Sequence, residues 1–232
     1  MLTLEGLHVG LGGFDLRADF SVPKGAQVAV IGPSGAGKST LLAAIAGFQE
    51  LRKGRVTWEG ADLTDKAAAD RPVSMIFQDN NLFPHMTLFE NVGLGVRPDL
   101  RLSSGEVARV EGALDAVGLA GLGARKPGAV SGGQMARAGL ARALLRARPL
   151  MLLDEPFGAL GPALRQEMIQ LVSRLARESG ASLLMVTHNP DDALAIQGEV
   201  ILVAAGVAHA PEPAAEIFAN PPEALRAYLG ES

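Results

Sequence analysis

The sequence predicts an α/β protein, and three observations carry that prediction. Short apolar runs bounded by turn residues recur at Gln27–Ile31, 73–77, 150–153 and Ser182–Val186, each the length of a strand buried on both faces. The first run leads through GPSGAGKST (32–40), with three glycines, into an apolar helical stretch at 41–46. Between 82 and 148 the strand signals stop and helical spacing takes over, so a helical lobe is expected to interrupt the sheet.

Composition narrows the class. A chain of 232 residues, 48% of them hydrophobic, suffices for one domain with a large core. Cysteine is absent, which excludes disulfides, thiolate metal sites and cysteine nucleophiles and fits a reducing compartment. The net charge of −4 lacks the clustered basic face of a nucleic-acid groove, so no nucleic-acid partner is expected. Apolar stretches such as 149–153 and 182–186 are too short to span a bilayer, and the N-terminus has no basic-then-apolar leader pattern. A cytoplasmic protein is expected, touching a membrane only through a partner.

In chain order, residues 2–9 alternate loosely and read as an edge strand; Gly10, Gly12 and Gly13 turn it back toward a second strand, 14–22. Phe14 fits the core, the commoner role for a phenylalanine in a strand, or a platform for a nucleotide base. Segment 32–40 then fits the pattern GxxxxGK[ST]. In that pattern glycines let backbone N–H groups converge on an anion, the lysine reaches terminal phosphates, and the first hydroxyl reaches magnesium. Here Gly32, Pro33, Ser34, Gly35, Ala36, Gly37, Lys38, Ser39 and Thr40 form the cradle, and the following helix turns its positive dipole end toward the phosphates.

Residues 55–59 (RVTWE) give a short strand before the polar stretch 61–70, and the run 73–77 ends at Gln78, followed by Asp79, Asn80 and Asn81. A polar cluster where a strand emerges is a common place for site residues, and an equally common solvated loop. Ser103-x-x-Glu106 opens a helix to about Val117, with Gly118 as its stop. VSGGQ (130–134) precedes a helix at 135–145 carrying Leu140, Ala141, Leu144 and Leu145 at helical spacing. Its Ser-Gly-Gly start offers free N–H groups at a positive dipole end, a second anion site; taken alone, a cap and linker is the commoner reading.

The run 150–153 delivers Asp154 and Glu155, and two acids at a strand end are the expected partners of a phosphate loop: one for the magnesium shell, the next to polarise a water. Pro162 starts a helix whose Leu164, Met168, Leu171, Val172 and Leu175 form a stripe for the sheet. Run 182–186 ends at Thr187 and His188, where the histidine either contacts a phosphate oxygen or caps a turn. Segment 199–205 reads as the last strand, and the proline-rich 211–222 links short terminal helices.

GPSGAGKST, Gln78, VSGGQ, and LMLLDEP with His188 beyond it now stand in one order. That combination resembles the nucleotide-binding subunits of ABC transporters over essentially the whole chain. The resemblance implies a P-loop NTPase fold: a RecA-like core and an antiparallel β lobe over about 1–80 and 149–232, with the helical lobe over about 81–148, as one ATPase domain. It implies ATP and Mg2+ as ligands, with Lys38 and the cradle amides on the β- and γ-phosphates, and Ser39, Gln78 and Asp154 serving the metal. Glu155 would be the general base, Gln78 would sense metal and water, and His188 would link γ-phosphate to carboxylate. Ser131, Gly132, Gly133 and Gln134 would meet the γ-phosphate of an ATP held by a second copy, giving an ATP-sandwiched homodimer at the cytoplasmic face of the inner membrane. Transmembrane permease subunits would dock on about 79–91, and a periplasmic solute-binding protein would act indirectly.

RPVSMIFQDNNLFPHMT and DEPFGALGPALRQEM look like the ATPase subunits of bacterial thiamine importers, as do Asn80-Asn81 and the compact length. Three positions depart from the family pattern. Gly161 replaces an aspartate expected to cross the dimer interface, Met135 and Ala136 replace a polar pair although Arg137 remains, and no tyrosine stands at the base-stacking position, leaving Phe14 or Leu11. The alternatives are an importer ATPase for iron, phosphate or polyamine, a non-transport ABC clamp, and a small-molecule kinase. The clamp lacks its paired cassettes and basic extensions here, and the kinase would need an acceptor pocket rather than a water-activating acid.

Overall fold

The structure, a computed structural model, describes residues 1–77 and 82–230, with the backbone alone at Leu11. Its strands are β1 (Leu2–Leu11), β2 (Phe14–Val22), β3 (Gln27–Ile31), β4 (Lys53–Trp58), β5 (Ala61–Asp62), β6 (Val73–Ile76), β7 (Leu150–Asp154), β8 (Ser182–Val186), β9 (Glu199–Ala204), β10 (Val207–Ala208) and β11 (Glu212–Pro213). The helices are α1 (Lys38–Ala46), α2 (Leu88–Gly93), α3 (Ser104–Ala116), α4 (Gly132–Leu145), α5 (Pro162–Ser179), α6 (Pro190–Ile196), α7 (Ala214–Ala219) and α8 (Glu223–Leu229).

The sheet runs β5-β4-β1-β2-β10-β9-β3-β8-β7-β6, with β11 beside β9. From β9 to β6 every pairing is parallel. From β5 to β2 every pairing is antiparallel, and β10 joins the two parts, parallel to β2 and antiparallel to β9. The strand period of two sorts the core into two layers. On β3, Val28 and Val30 join the cluster that α1 fills with Leu41, Leu42 and Ile45. Ala29 and Ile31 join the opposite cluster, filled by α5 with Met168, Ile169 and Val172 and by α4 with Leu140. β7 divides likewise, Leu150 and Leu152 on one side, Met151 and Leu153 on the other. Burial on both faces is what makes these strands read as unbroken apolar runs.

Several elements differ from the sequence expectation. β1 is interior rather than an edge, because β4 pairs along its free side with Leu2 opposite Trp58. Its alternation reports one buried face and is silent about how many strands flank it. α1 and α4 each start three residues earlier than their apolar stripes, at Lys38 and Gly132, since the first turn of each is polar or glycine-rich. α2, too short for a period to show, is set by a capping box between Thr87 and Glu90. Two short strands, β10 and β11, follow the segment expected to be last. The proposed 103–106 box is present: Ser103 accepts from the Glu106 amide and Glu106 accepts from Ser103.

Candidate functional site

β3 lies inside the parallel sheet between β9 and β8, and the chain leaves its carboxyl end through Gly32 to Gly37 into α1. Two glycines here are dictated by geometry. A Cβ on Gly32 would lie 2.0 Å from the Val203 carbonyl oxygen of β9, and Gly37, the N-cap of α1 at φ 106, would put one 2.7 Å from Phe14 Cζ. Pro33, Ser34 and Gly35 are exposed, so the tip of the loop faces solvent, whereas Gly37 and Lys38 are buried and Ala36 and Thr40 half-buried. Lys38 Nζ folds back to donate to the carbonyls of Gly32 (2.8 Å) and Pro33 (2.9 Å). Burial pushes its ammonium below the usual lysine range, and the charges of Glu155 and Asp154 oppose that shift.

β7 brings its acids to the same sheet end. Ser39 Oγ donates to Asp154 Oδ1 at 2.9 Å, and desolvation holds the Asp154 carboxyl above the usual aspartate range. The next residue, Glu155, sits at φ 46, a left-handed conformation that costs a non-glycine residue on the order of 1–3 kcal/mol and that clusters at functional sites. Its amide donates to the Val186 carbonyl at the end of β8, so the ends of β7 and β8 are tied together. That tie brings Glu155 Oε2 within 3.4 Å of His188 Nδ1.

Phe14 is half-buried and packs on the cluster that α1 fills, with its ring edge against Gly37, backing the glycine loop from β2. Of the two readings of the Ser-Gly-Gly turn, the structure shows the helix cap, with the start of the turn left open to solvent. Ser131 N-caps α4 in a reciprocal box with Gln134 (Ser131 N to Gln134 Oε1 2.9 Å, Gln134 N to Ser131 Oγ 3.2 Å), which engages both side chains, while Ser131 and Gly132 stay exposed at the positive end of the helix. Gly133 is buried against Leu164 of α5, where a Cβ would come within 2.5 Å of Leu164 Cδ2. Among the described residues no hydrogen bond joins Ser131, Gly132, Gly133 or Gln134 to the phosphate loop or to the acids. Lys38, Ser39, Asp154, Glu155 and His188 are thus gathered at one sheet end, and the glycine turn packs on α5 through Gly133. Gln78, with Asp79, Asn80 and Asn81, and the Leu11 side chain lie outside the described residues.

Sequence reasoning missed what surrounds His188. Arg165 on α5 places Nη2 3.4 Å from His188 Nε2 and Nε 3.0 Å from Asp192 Oδ2 on α6, and Asp192, 3% exposed, also accepts from Thr187 Oγ1 at 2.6 Å. The Tyr228 hydroxyl on α8 donates to the His188 carbonyl. Only an amphipathic stripe and a helix-opening acid were visible locally; neither announces its partner. Arg137, noted in sequence for standing after the glycine turn, ties α4 to its neighbours through the Val117 carbonyl and Glu167.

A family model described as ABC transporter matches residues 16–158, more than half of the chain. The chain belongs to the ABC transporter family. As an ABC cassette it binds and hydrolyses ATP, and its fold class is the expected α/β P-loop NTPase. The cassette is 60% identical over 230 residues to the thiamine import ATP-binding protein ThiQ of Cereibacter sphaeroides, covering 99% of this chain and 100% of that one. It is 54% identical to the ThiQ of Ruegeria sp., with the same coverage. Among solved structures it resembles a dimeric ATP-binding cassette in a post-hydrolysis state bound to ADP and Pi, with a TM-score of 0.80 at 27% identity, covering 92% of this chain and 99% of that chain. A dimeric bacterial ABC transporter cassette matches equally, with a TM-score of 0.80 at 28% identity over the same shares. No helix of the described residues is long and apolar enough to cross a membrane.

Proposed function

We propose that this cassette is the motor subunit of a thiamine importer, working as a homodimer that closes on ATP and drives a pair of membrane-embedded permease subunits. The observation that carries the cargo is 60% identity over nearly the whole chain to a protein named for thiamine import. The domain division expected from sequence accompanies this reading: a core and β lobe over about 1–80 and 149–232, and a helical lobe over about 81–148.

In this reading Lys38 leaves the Gly32 and Pro33 carbonyls to meet the β- and γ-phosphates, and the amides of the exposed loop tip complete the cradle. Ser39 Oγ and Asp154 Oδ1, two hard oxygen donors 2.9 Å apart, fit Mg2+, which takes few protein ligands and completes its shell with phosphate and water. The ion would neutralise charge on the transferred phosphoryl group. Gln78 is assigned to the metal shell from the sequence pattern alone.

Glu155 takes the proton of the attacking water, and His188, already beside it, orients the carboxylate and reaches the γ-phosphate. Ser131, Gly132, Gly133 and Gln134 serve the ATP of the other copy. Two observations support that division of labour: the turn is open at Gly132 with a helix dipole behind it, and among the described residues no hydrogen bond joins it to its own glycine loop. Loss of the γ-phosphate removes the charge that holds the two copies together and lets them part. The cassette sits peripherally at the cytoplasmic face, its 79–91 segment against the permease, and a periplasmic solute-binding protein delivers cargo without touching it.

Reconstitution in vesicles with cognate permease and solute-binding subunits tests this. Thiamine in the lumen-equivalent compartment is expected to stimulate ATP hydrolysis, and stimulation by iron, phosphate or polyamine instead would replace the cargo assignment.

A further inference from the structure

His188 is held from three elements, and the chemistry of the contacts fixes where its proton sits. Arginine carries five N–H donors and no acceptor, so a ring nitrogen facing Arg165 Nη2 at 3.4 Å presents a lone pair. The other nitrogen, Nδ1, then carries the hydrogen, and it lies 3.4 Å from Glu155 Oε2 as an ion-pair contact. Both contacts are long for hydrogen bonds, as catalytic contacts commonly are before substrate arrives.

Arg165 is itself placed from behind. Its side chain is 14% exposed and runs along Asp192, which is 3% exposed, and Asp192 is oriented by the Thr187 hydroxyl at 2.6 Å. The pair is close yet imperfectly aligned: among the described residues Arg165 Nε and Asp192 Oδ1 complete no hydrogen bond. The guanidinium therefore has donor capacity left for the imidazole instead of being saturated by its carboxylate. Tyr228 adds the third restraint by donating to the His188 carbonyl, which fixes the backbone of the residue whose ring Arg165 addresses.

We propose that Arg165 is a positioning residue for ATP hydrolysis: bridging Asp192 to His188, it selects the imidazole tautomer with hydrogen on Nδ1 and so pre-orients Glu155 before nucleotide binds. This rests on Glu155 acting as base. The bridge needs the planar fork of arginine, because a lysine ammonium can pair with Asp192 but not also face the ring. The binding loop lies on other elements, so the role separates turnover from nucleotide affinity.

The test begins with the unaltered, nucleotide-free chain labelled with 15N-histidine. With four histidines, the His188 signals are assigned by their loss in His188→Gln. Nitrogen shifts showing a protonated Nδ1 and a bare Nε2 are expected; a proton on Nε2 overturns the proposal without any need for an Arg165 variant to fold. Arg165→Lys and Arg165→Gln then follow, with nucleotide titration beside turnover. Both should lose roughly 10- to 100-fold in kcat, the range for removing an outer partner that orients a site histidine, while nucleotide affinity is unchanged. Arg165→Lys should melt close to the parent, because the Asp192 pair survives. Parental turnover in both variants, or a parallel loss of affinity, also overturns the proposal. Steady hydrolysis by Glu155→Gln would instead reject the base assignment, whatever the tautomer.

Discussion

Ser39 Oγ lies 2.9 Å from Asp154 Oδ1, although 115 residues separate them in sequence. The first opens α1 and the second closes β7, which stands one strand away from β3 across β8. A parallel sheet aligns the carboxyl ends of its strands, so the first turn of the helix that follows one strand and the last residue of another meet at a common rim. The same alignment brings Glu155 to His188 from the ends of β7 and β8.

Glu155→Gln keeps the shape of the side chain and removes its basicity. Nucleotide binding should persist while turnover falls by about 10²–10⁴-fold, the usual contribution of a general base. Size-exclusion chromatography with ATP should show accumulated dimer, and a variant that stays monomeric while binding ATP would contradict the sandwich.

Gly37→Ala forces a side chain into a φ of 106 and into the ring of Phe14. The left-handed backbone alone costs roughly 1–2 kcal/mol, equivalent to a melting point lower by about 2–8 °C in a chain of this size. Nucleotide affinity should fall with it. Adding Phe14→Ala should recover part of the binding and none of the backbone cost, measured by thermal melts alongside nucleotide titration.

Gly161→Asp should stabilise. Gly161 is the N-cap of α5 with ordinary helix-start dihedrals (φ −63, ψ 156), makes no side-chain cap, and has open space where a Cβ would go. An aspartate there accepts from the first-turn amides and meets the positive dipole end, worth a few tenths of a kcal/mol relative to glycine. A melting point raised by about 1 °C is expected; a lowered one would mean the position is constrained by something other than its cap.

Glu90 and Glu106 give α2 and α3 an acid sensitivity. Backbone amides of Thr87 and Ser103 hold both carboxyls below the usual glutamate range. A depressed folded-state value means stability that is present above the unfolded value, about 4.3, and is lost as pH falls through the folded one. The double variant Glu90→Gln, Glu106→Gln should therefore be less stable than the parent at pH 7, with the gap closing on acidification below pH 4. Denaturant midpoints at both ends of that range check the sign.

Much of the site was legible because its chemistry is local. The spacing from Gly32 to Ser39 writes a loop, a cation and a hydroxyl into eight residues, and the acids at 154 and 155 follow directly from an apolar strand. The apolar runs of β3, β7 and β8 were legible for a related reason: a strand buried on both faces has nowhere to put a polar residue. The glycine turn was half legible, since a serine before two glycines reads as a helix cap, while its reciprocal box with Gln134 and the open face of Gly132 show only in three dimensions.

By itself, then, the sequence determined the longer strands and helices, the glycine loop with its lysine, and the acid pair, since each depends on neighbours within a turn or a pleat. Tertiary structure alone decided that β1 is interior, that Phe14 backs Gly37, and that Arg165, Asp192 and Tyr228 converge on His188. Those outcomes depend on which distant segments the sheet and its helices bring together. Local periodicity records that a face is buried, and only the packed chain settles what it is buried against.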